Sequence, residues 1–312
     1  MRPTCREQAT AVDASLLPQW SRERKARTRS DRFVAAGAGC STVRYIGGPM
    51  PTLDLGRFPF GRPVLPVIQT DRTPKRIFVL GVYASAVHAT WRGPDGRVRV
   101  RALAVASEPS IFWRGEGAAD IIGSIEVPSQ FGTLQPAAAQ FNGPSGIALD
   151  DCFLGPIGIA RSCAWLCDLV PYSCINPAQA AALAREYTPL VAEGLPVPSV
   201  GEVPGVLATA ARRAAILSEL EASEAEVVVV LGDQPLRWFV SEFDADRRRR
   251  LADFGTSKCE YGRLHRLHIG SRERLLLPVA HPRQVARLGT HSGTWAALHE
   301  AWTRDVAPSL LA

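Results

Sequence analysis

Four short apolar segments constrain how this chain can fold. Each is too short for a buried helix and lacks the polar alternation of a half-exposed strand, so each predicts a strand buried on both faces. Such strands belong to a mostly parallel sheet whose connections are helical. The sequence therefore predicts an α/β fold, a three-layer α-β-α sandwich with a mostly parallel four-stranded sheet. The segments are Ile77–Leu80, Ala164–Val170, Val227–Leu231 and Leu275–Val279.

Two further stretches predict local structure near the first strand. Residues 87–107 alternate in polarity on both sides of Pro94, Asp95 and Gly96, which is typical of a β-hairpin. The stretch FNGPSGIALDD, residues 141–151, predicts a glycine-rich turn that opens a helix, with Ser145 as its N-cap. In open α/β sheets, ligands bind where the strands end, so loops of this kind are candidates for a site.

Composition narrows the class of partner. The formal net charge is +6 and arginine is far commoner than lysine. Arginine pairs well with phosphate, so nucleic acid is one expected partner, although a GC-rich genome would give the same bias. No apolar run is long enough to cross a bilayer, so no membrane partner is expected. Seven cysteines without a regular framework indicate a reducing compartment, and we expect a cytoplasmic protein.

The sequence also predicts a division of the chain. Residues 1–49 are basic and partly of low complexity, and they predict a flexible N-terminal extension. Residues 50–312 contain all the patterned segments and predict the α/β domain. Two interpretations of the extension stay open, a DNA-binding arm or a segment upstream of a natural start at Met50.

The order of five motifs identifies a resemblance. GVYAS, FNGPSG-x-ALD, AWLCDL, VVVVLGDQPLRWF and LLPVAHPRQ follow one another between residues 75 and 302. This order resembles the uracil-DNA glycosylase superfamily, and it is closest to the branch with the motifs GEAPG, PFVG-x-AG-x-LLD, VYITN, LLG-x-x-A and HPS. The resemblance implies a uracil-DNA glycosylase-like fold and hydrolysis of the N-glycosidic bond of a base flipped out of DNA. The expected product is an abasic site.

The resemblance also implies roles for individual residues. His281 would be a catalytic residue that donates a hydrogen bond to the departing base, and such a donor suits the negative charge that develops there. Asp168 would contact the base edge, and Phe141 would stack on the ring. The first active-site loop would contribute Gly81, Tyr83 and Ser85, the glycine-rich turn would add Asn142, and DNA contacts would come from Arg283, Gln284 and Arg287.

Two positions depart from the family pattern. Tyr83 stands where the family carries a carboxylate or an amide that positions water, so another carboxylate is needed. Glu108, Asp150 and Asp151 are candidates, and Glu108 is favoured because it interrupts an apolar run before Pro109. Asp150 is kept as a second catalytic candidate, although it matches a family position for which a structural role is expected.

The second departure concerns the base. Asp168 replaces an asparagine that reads uracil, and an ionised carboxylate can only accept hydrogen bonds. It therefore suits the exocyclic amine of a cytosine-type base. Excision of ordinary cytosine would destroy the host's own DNA, so a modified cytosine is the expected substrate, with defence against phages as the corresponding role. Alternatives are that Asp168 caps a loop or pairs with an arginine, that the enzyme repairs uracil, or that the fold only binds DNA.

We expect no cofactor and no metal. Cys152, Cys163, Cys167 and Cys174 suggest an iron–sulfur cluster, but no C-x-x-C pair is present. The sequence instead predicts that these cysteines are small buried apolar residues. A monomer that binds DNA is the expected state.

Overall fold

The computed structural model describes residues 54–286 and 292–311, which belong to one compact unit, Asp54–Ala312. The predicted extension of residues 1–49 and the predicted DNA contact Arg287 lie outside the described residues. The strands of the described part are β1 Ile77–Tyr83, β2 Ala86–Arg92, β3 Val98–Ser107, β4 Thr133–Pro136, β5 Ala164–Val170, β6 Val227–Leu231, β7 His265–Ile269 and β8 Arg272–Val279.

The strands form two sheets. The larger sheet has the order β5-β1-β6-β8-β7, in which the first four strands are parallel and β7 is antiparallel to β8. The smaller sheet, β3-β2-β4, is antiparallel. The predicted α/β class with a mostly parallel sheet is confirmed. The prediction of only four strands in this sheet was wrong, because β7 adds a fifth through a Gly270–Ser271 turn.

The strand order defines where a crevice can form. After β1 the chain reaches β5 on one side, whereas β6 and β8 lie on the other side. The point at which the order reverses is therefore between β1 and β6, and ligands in open α/β sheets bind outside the strand ends at such a point. Gly81 of β1 lies opposite Asp168 of β5, and Leu231 of β6 lies opposite Val279 of β8.

Helices connect the strands. Helix α4 packs against β1 and β5, while α5 packs against β1 and β6. Helix α2 continues directly into a π-helical segment, Leu149–Leu154, which we call the π segment. The helices of the described part are α1 Ala118–Gly123, α2 Pro144–Ala148, α3 Pro177–Ala182, α4 Ala210–Ser223, α5 Asp233–Trp238, α6 Pro282–Val285 and α7 Gly293–Asp305.

The N-cap of α2 differs from the prediction. Gly143, not Ser145, occupies the cap with φ of 74°, and Pro144 follows as the first helical residue. A side chain on Gly143 would overlap the backbone of Arg114 and Gly115. The turn therefore requires glycine both for its left-handed backbone and for the close approach of a neighbouring loop.

The predicted β-hairpin is confirmed as β2 and β3, with Gly96 in the turn at φ of 75°. Strand β2 begins at Ala86, three residues after β1 ends. The chain therefore passes directly from the larger sheet into the smaller one. Ser107, at the end of β3, pairs with Ala86. The hairpin thus returns the chain to its starting point, and Glu108 emerges beside Ser85. Its inner face packs in a separate core around Trp91, Phe60 and Tyr187, whose rings contact one another.

Asn176 is the N-cap of α3, the helix that packs against this hairpin, and its capping contacts can be tested. Its side chain accepts a hydrogen bond from the Gln179 N–H at 2.9 Å, and the Gln179 side chain accepts one from the Asn176 N–H at 2.9 Å. We expect Asn176→Ala to lower the free energy of unfolding by about 1 kcal/mol, the usual effect of losing an N-cap. Urea unfolding measures the change. Asn176→Asp, which keeps the acceptor, should stay near the wild type, and an equal loss in both variants would contradict the cap.

Candidate active site

A glycine at the carboxyl end of β1 makes room for a cluster of side chains. A Cβ on Gly81 would overlap Asp168 Oδ1 and would lie 2.6 Å from Phe112 Cζ. The Asp168 carboxylate and the Phe112 ring therefore share the space above Gly81. Tyr83 is two residues further along the strand, so it points to the same face, and it is half-buried.

Glu108 is the second carboxylate of this cluster. Only 4% of Glu108 is exposed. Burial and then the nearby charge of Asp168 raise its pKa to about 8, although the backbone N–H groups of Ser85 and Trp113 and the charge of Arg161 oppose the shift. The hairpin thus brings Glu108 to the first loop, where a carboxylate was expected but Tyr83 stands. A buried carboxylate with a pKa near neutrality is suited to accept a proton from water.

Asp168 is buried to a similar extent, with 3% exposed. Burial raises its pKa to about 7, and the charge of Arg212 opposes the shift. Arg212 does not pair with the carboxylate, because its Nη2 donates to the Asp168 main-chain oxygen at 2.6 Å. The carboxylate forms no hydrogen bond or ion pair with the part of the chain described here. The alternative in which Asp168 serves as an arginine partner or a loop cap therefore has no support in these contacts.

Phe112 was missed in the sequence analysis, and its ring lies beside the Asp168 carboxylate above Gly81. Its backbone is left-handed with φ of 51°, a costly conformation for a residue with a side chain. Arg161 holds this conformation, because its Nη2 donates to the carbonyl oxygens of Ile111 and Phe112. No pattern in the sequence signals a left-handed phenylalanine, so only the structure reveals it.

Asp150 has a different position from the one expected of a catalytic group. Its carboxylate accepts from Arg161 Nη1 at 2.6 Å and lies 3.3 Å from Arg114 Nη1. It lines an open surface groove of about 270 Å³ together with Asp151. Of the three candidate carboxylates, Glu108 alone lies in the Gly81–Asp168 cluster. These contacts give Asp150 a structural role, which is to hold Arg161 against the Phe112 loop, and its catalytic role stays a prediction.

His281 lies at the carboxyl end of β8, where it is the N-cap of α6. Its Nδ1 accepts from the Arg283 N–H at 3.2 Å, so in the neutral ring Nε2 carries the proton. Burial, assisted by the charge of Arg283, lowers the His281 pKa to about 4, and the ring is neutral at pH 7. His281 therefore presents one N–H donor at Nε2. Gly232, with φ of 84°, lets the end of β6 approach, since a Cβ there would lie 3.1 Å from His281 Cβ.

The two parts of the site lie on opposite sides of the switch point. Asp168 and Val279 occupy one row across the sheet, separated by three strand spacings or about 14 Å, and His281 follows two residues beyond Val279. The carboxylates lie near the β5 end of this row, and the His281 imidazole lies near its β8 end.

His88 lies close to both Phe141 and Arg283. Arg283 is exposed, and its charge is felt at His88, whose pKa is lowered first by burial and then by this charge. His88 Nε2 lies 3.0 Å from Gln179 Nε2. Phe141, which is 39% exposed, precedes the α2 turn. An exposed phenyl ring is available for stacking, as the prediction for Phe141 requires.

Two other predicted contacts have their polar groups engaged within the protein. The Asn142 amide accepts from the His88 N–H at 2.8 Å and donates to the His88 carbonyl at 2.9 Å, so it pairs with β2 like a strand. Gln284 Oε1 accepts from the His281 N–H at 3.0 Å. Both residues position their neighbours, and their roles in binding substrate or DNA stay predictions.

The predicted burial of the cysteines is confirmed only in part. Cys167 and Cys174 are buried, whereas Cys163 is exposed and Cys152 is intermediate. Cys163 was wrongly predicted because it lies in the 3₁₀ turn before β5, not in the strand. Over residues 54–286 and 292–311, no group of three or more His, Cys, Asp or Glu side chains is arranged to hold a metal ion.

Comparison with known proteins does not assign this site. No protein-family model matches the sequence. None of the curated proteins matches it either. Among the described helices, none is both long and apolar enough to cross a membrane. The function has to be inferred from the chemistry of the site.

The raised pKa of Glu108 makes a prediction about stability. Between about pH 4.5 and pH 8 the folded protein keeps a proton on Glu108 that the unfolded chain has lost, so stability falls as the pH rises through this window. Glu108→Gln removes the buried charge. We expect its unfolding free energy to match the wild type at pH 5 and to exceed it by roughly 2–4 kcal/mol at pH 9, since one pKa unit is about 1.4 kcal/mol.

Urea unfolding at several pH values measures this difference. The exposed Glu126→Gln is the matched control, because it removes a carboxylate from the surface and should leave the pH dependence unchanged. A difference between Glu108→Gln and wild type that does not grow with pH would contradict the buried, protonated carboxyl group.

Proposed function

We propose that this protein is a DNA glycosylase, a divergent member of the uracil-DNA glycosylase superfamily with a three-layer α-β-α fold. The observation that carries the proposal is the pair of buried carboxylates, Glu108 and Asp168, beside the first loop. Asp168 uses the space that Gly81 leaves because it has no side chain. The His281 donor beyond the switch point supports it. This arrangement offers a base acceptor, a water-activating group and a donor for the leaving base around one crevice.

The proposed reaction is hydrolysis of the bond between the sugar C1′ and the base nitrogen. Glu108 accepts a proton from a water molecule, and the water oxygen forms the new bond to C1′. The C1′–N bond breaks and its electron pair moves onto the base. His281 Nε2–H donates to the base oxygen on which negative charge develops, and a neutral donor avoids a desolvation cost for the ring. The base anion takes up a proton from solvent and Glu108 releases its proton to solvent, so the products are the free base and an abasic site.

The base we favour is a modified cytosine. An ionised Asp168 accepts a hydrogen bond from the exocyclic N4 amine, and it has no competing partner among the described residues. In this scheme Asp168 and Glu108 are both ionised in the active state, so a single pH change activates both groups. A modification of the kind found in some phage genomes would let the enzyme distinguish foreign DNA from host DNA. The corresponding role is defence against phages.

Uracil is the first alternative, and one observation favours it. The Asp168 pKa of about 7 makes the neutral acid accessible, and a protonated Asp168 can donate to uracil O4. This alternative requires protonated Asp168 together with ionised Glu108. Because the Glu108 pKa of about 8 is the higher of the two, that combination is a minority state at every pH.

A non-catalytic DNA-binding protein is the second alternative. Asp168 and Glu108 are both buried, and the Phe112 ring lies beside the Asp168 carboxylate above Gly81, so a base can reach Asp168 only after the Phe112 loop moves. A protein that never opens this loop would bind DNA through exposed groups such as Arg283 without cleaving it. In either case we propose that the protein acts on DNA as a monomer in the cytoplasm.

Formation of abasic sites tests these proposals. DNA duplexes containing uracil, cytosine, 5-hydroxymethylcytosine or its glucosylated form are incubated with the full chain, and alkali then cleaves abasic sites. We expect cleavage only at a modified cytosine. His281→Ala should lower the rate by about 10²–10³-fold, as loss of one such donor usually does. The exposed His268→Ala is its control and should keep the wild-type rate.

Asp168→Asn gives the sharpest test of base choice. It should lower cleavage of the modified cytosine by at least about 10²-fold and increase cleavage of uracil relative to wild type, because an amide both donates and accepts. The exposed Asp151→Asn removes a charge without touching the site. Cleavage of uracil alone by the wild type would favour the repair enzyme. Binding without cleavage of any DNA would favour the non-catalytic alternative.

The pH profile separates the two base classes. With a cytosine-type base, cleavage should increase from about pH 6 to about pH 9, because Asp168 and Glu108 both lose protons over this range. With uracil, a weak maximum between their two pKa values is expected. Single-turnover rates at fixed ionic strength measure the profile, and a rate that declines steadily above pH 6 would contradict Glu108 as the base.

A further inference from the structure

A chain of buried hydrogen bonds begins next to His281. The Ala280 N–H donates to the Tyr261 hydroxyl oxygen at 2.9 Å. The Tyr261 hydroxyl lies 2.8 Å from His299 Nδ1, and His299 Nε2 lies 2.9 Å from the Cys152 carbonyl oxygen. Tyr261, Ala280 and His299 are all buried. The chain therefore connects the residue before His281 to helix α7 and then to the π segment.

The direction of every proton in this chain is determined. A peptide N–H can only donate, so the Tyr261 oxygen accepts from Ala280 and its own O–H donates to His299 Nδ1. The remaining ring proton of His299 is on Nε2 and faces a carbonyl oxygen, which can only accept. Burial lowers the His299 pKa to about 4, so this single neutral tautomer is present at pH 7. No bond in the chain can reverse without leaving a buried group unpaired.

Aromatic packing keeps these groups in place. The His299 ring lies between Phe153 and Trp302, with ring centroids at 4.5 Å and 5.0 Å. The Trp302 Nε1–H donates to the Gly262 carbonyl at 2.9 Å, directly after Tyr261. A side chain at Gly262 would overlap the Trp302 ring. Tyr261 is thus fixed through its hydroxyl and through the residue that follows it.

We propose that Tyr261 and His299 are positioning residues that hold His281 in the orientation required at the leaving base. The chain stops at the Ala280 N–H, and Ala280 precedes His281 at the end of β8. Tyr261 and His299 do not touch the base in this scheme. This inference rests on the proposed glycosylase function for its kinetic effect, whereas the positioning of His281 itself is measurable in the absence of activity.

Tyr261→Phe removes one oxygen atom from the chain and keeps the ring. Tyr187→Phe is the matched control, because its buried hydroxyl also accepts from a backbone N–H, that of Phe60 at 2.8 Å, and lies 3.1 Å from the Pro196 carbonyl oxygen. Tyr187 lies in the other core, away from His281. Both variants lose comparable bonds, so equal losses of stability are expected. Only Tyr261→Phe should disturb His281.

Two measurements on the full chain test the proposal. In single-turnover cleavage, Tyr261→Phe should be slower by about tenfold to a hundredfold with unchanged DNA affinity, as expected when a reacting group is misplaced. In NMR spectra, the His281 ring nitrogens should report one Nε2–H tautomer in the wild type and in Tyr187→Phe. Tyr261→Phe should give a mixture and faster exchange of the Ala280 amide.

His299 gives a second pair of variants. His299→Gln can accept from Tyr261 and donate to Cys152, so it should retain more activity and more Ala280 protection than His299→Leu. Unchanged His281 spectra in Tyr261→Phe, or equal rate losses in Tyr261→Phe and Tyr187→Phe, would overturn the proposal. A wild type that cleaves no DNA would overturn the proposed function alone, because the spectra still decide whether Tyr261 and His299 position His281.

Discussion

Burial of two carboxylates in one small volume is the constraint on which the candidate site depends. A lone buried carboxylate is costly, and a second negative charge nearby makes it costlier. Here the cost is met by protonation, since Glu108 holds a proton up to about pH 8 and Asp168 up to about pH 7. Among residues 54–286 and 292–311, neither group has an arginine partner that would hold it permanently ionised. The two carboxyl groups at the end of the sheet therefore gain and lose protons near neutral pH, whereas a carboxylate in an ion pair would stay ionised.

The π segment connects the two sides of this site. The Asp150 carboxylate binds Arg161, and Arg161 holds the Phe112 loop, whose ring lies beside Asp168. Two residues further, the Cys152 carbonyl accepts from His299, whose partner Tyr261 binds the backbone next to His281. One turn of helix thus anchors both the Phe112 loop beside Asp168 and the strand end that carries His281. π-helical turns are frequent at functional sites, and here the widened turn supplies contacts in two directions.

The strands were the most predictable part of this fold. The runs at Ala164–Val170 and Val227–Leu231 coincide with β5 and β6, because these strands are buried on both faces and all their residues except Asp168 are apolar. Strand β7 was missed, although the Gly270–Ser271 pair that separates it from β8 is a hairpin signal. The alternation of His265 to Ile269 is short and mixed with arginine, so the turn residues were the better indicator.

The site was predictable only where a residue type was unusual for its surroundings. Glu108 stood out as a charge in an apolar run, and the hairpin does bring it beside Ser85. Phe112, Arg161 and the Tyr261–His299 pair could not be found in this way. Their roles depend on a left-handed backbone and on contacts between residues far apart in the chain, such as the 147 positions between Cys152 and His299. Such contacts follow from the completed fold and leave no local pattern.

The wide sequence separation of these residues also affects when the site forms during folding. Its parts come from β1, the hairpin exit, β5, β8 and α7, so few of its contacts are local. Contacts of this kind are slow to form, because the entropy of closing long loops must be overcome before they are made. A growing polypeptide on the ribosome that has produced Gly81, Glu108 and Asp168 still lacks Tyr261, His281 and His299. The carboxylates are then synthesised well before His281, so under the proposed mechanism a partly made chain lacks the donor needed to cleave the nucleic acid around it.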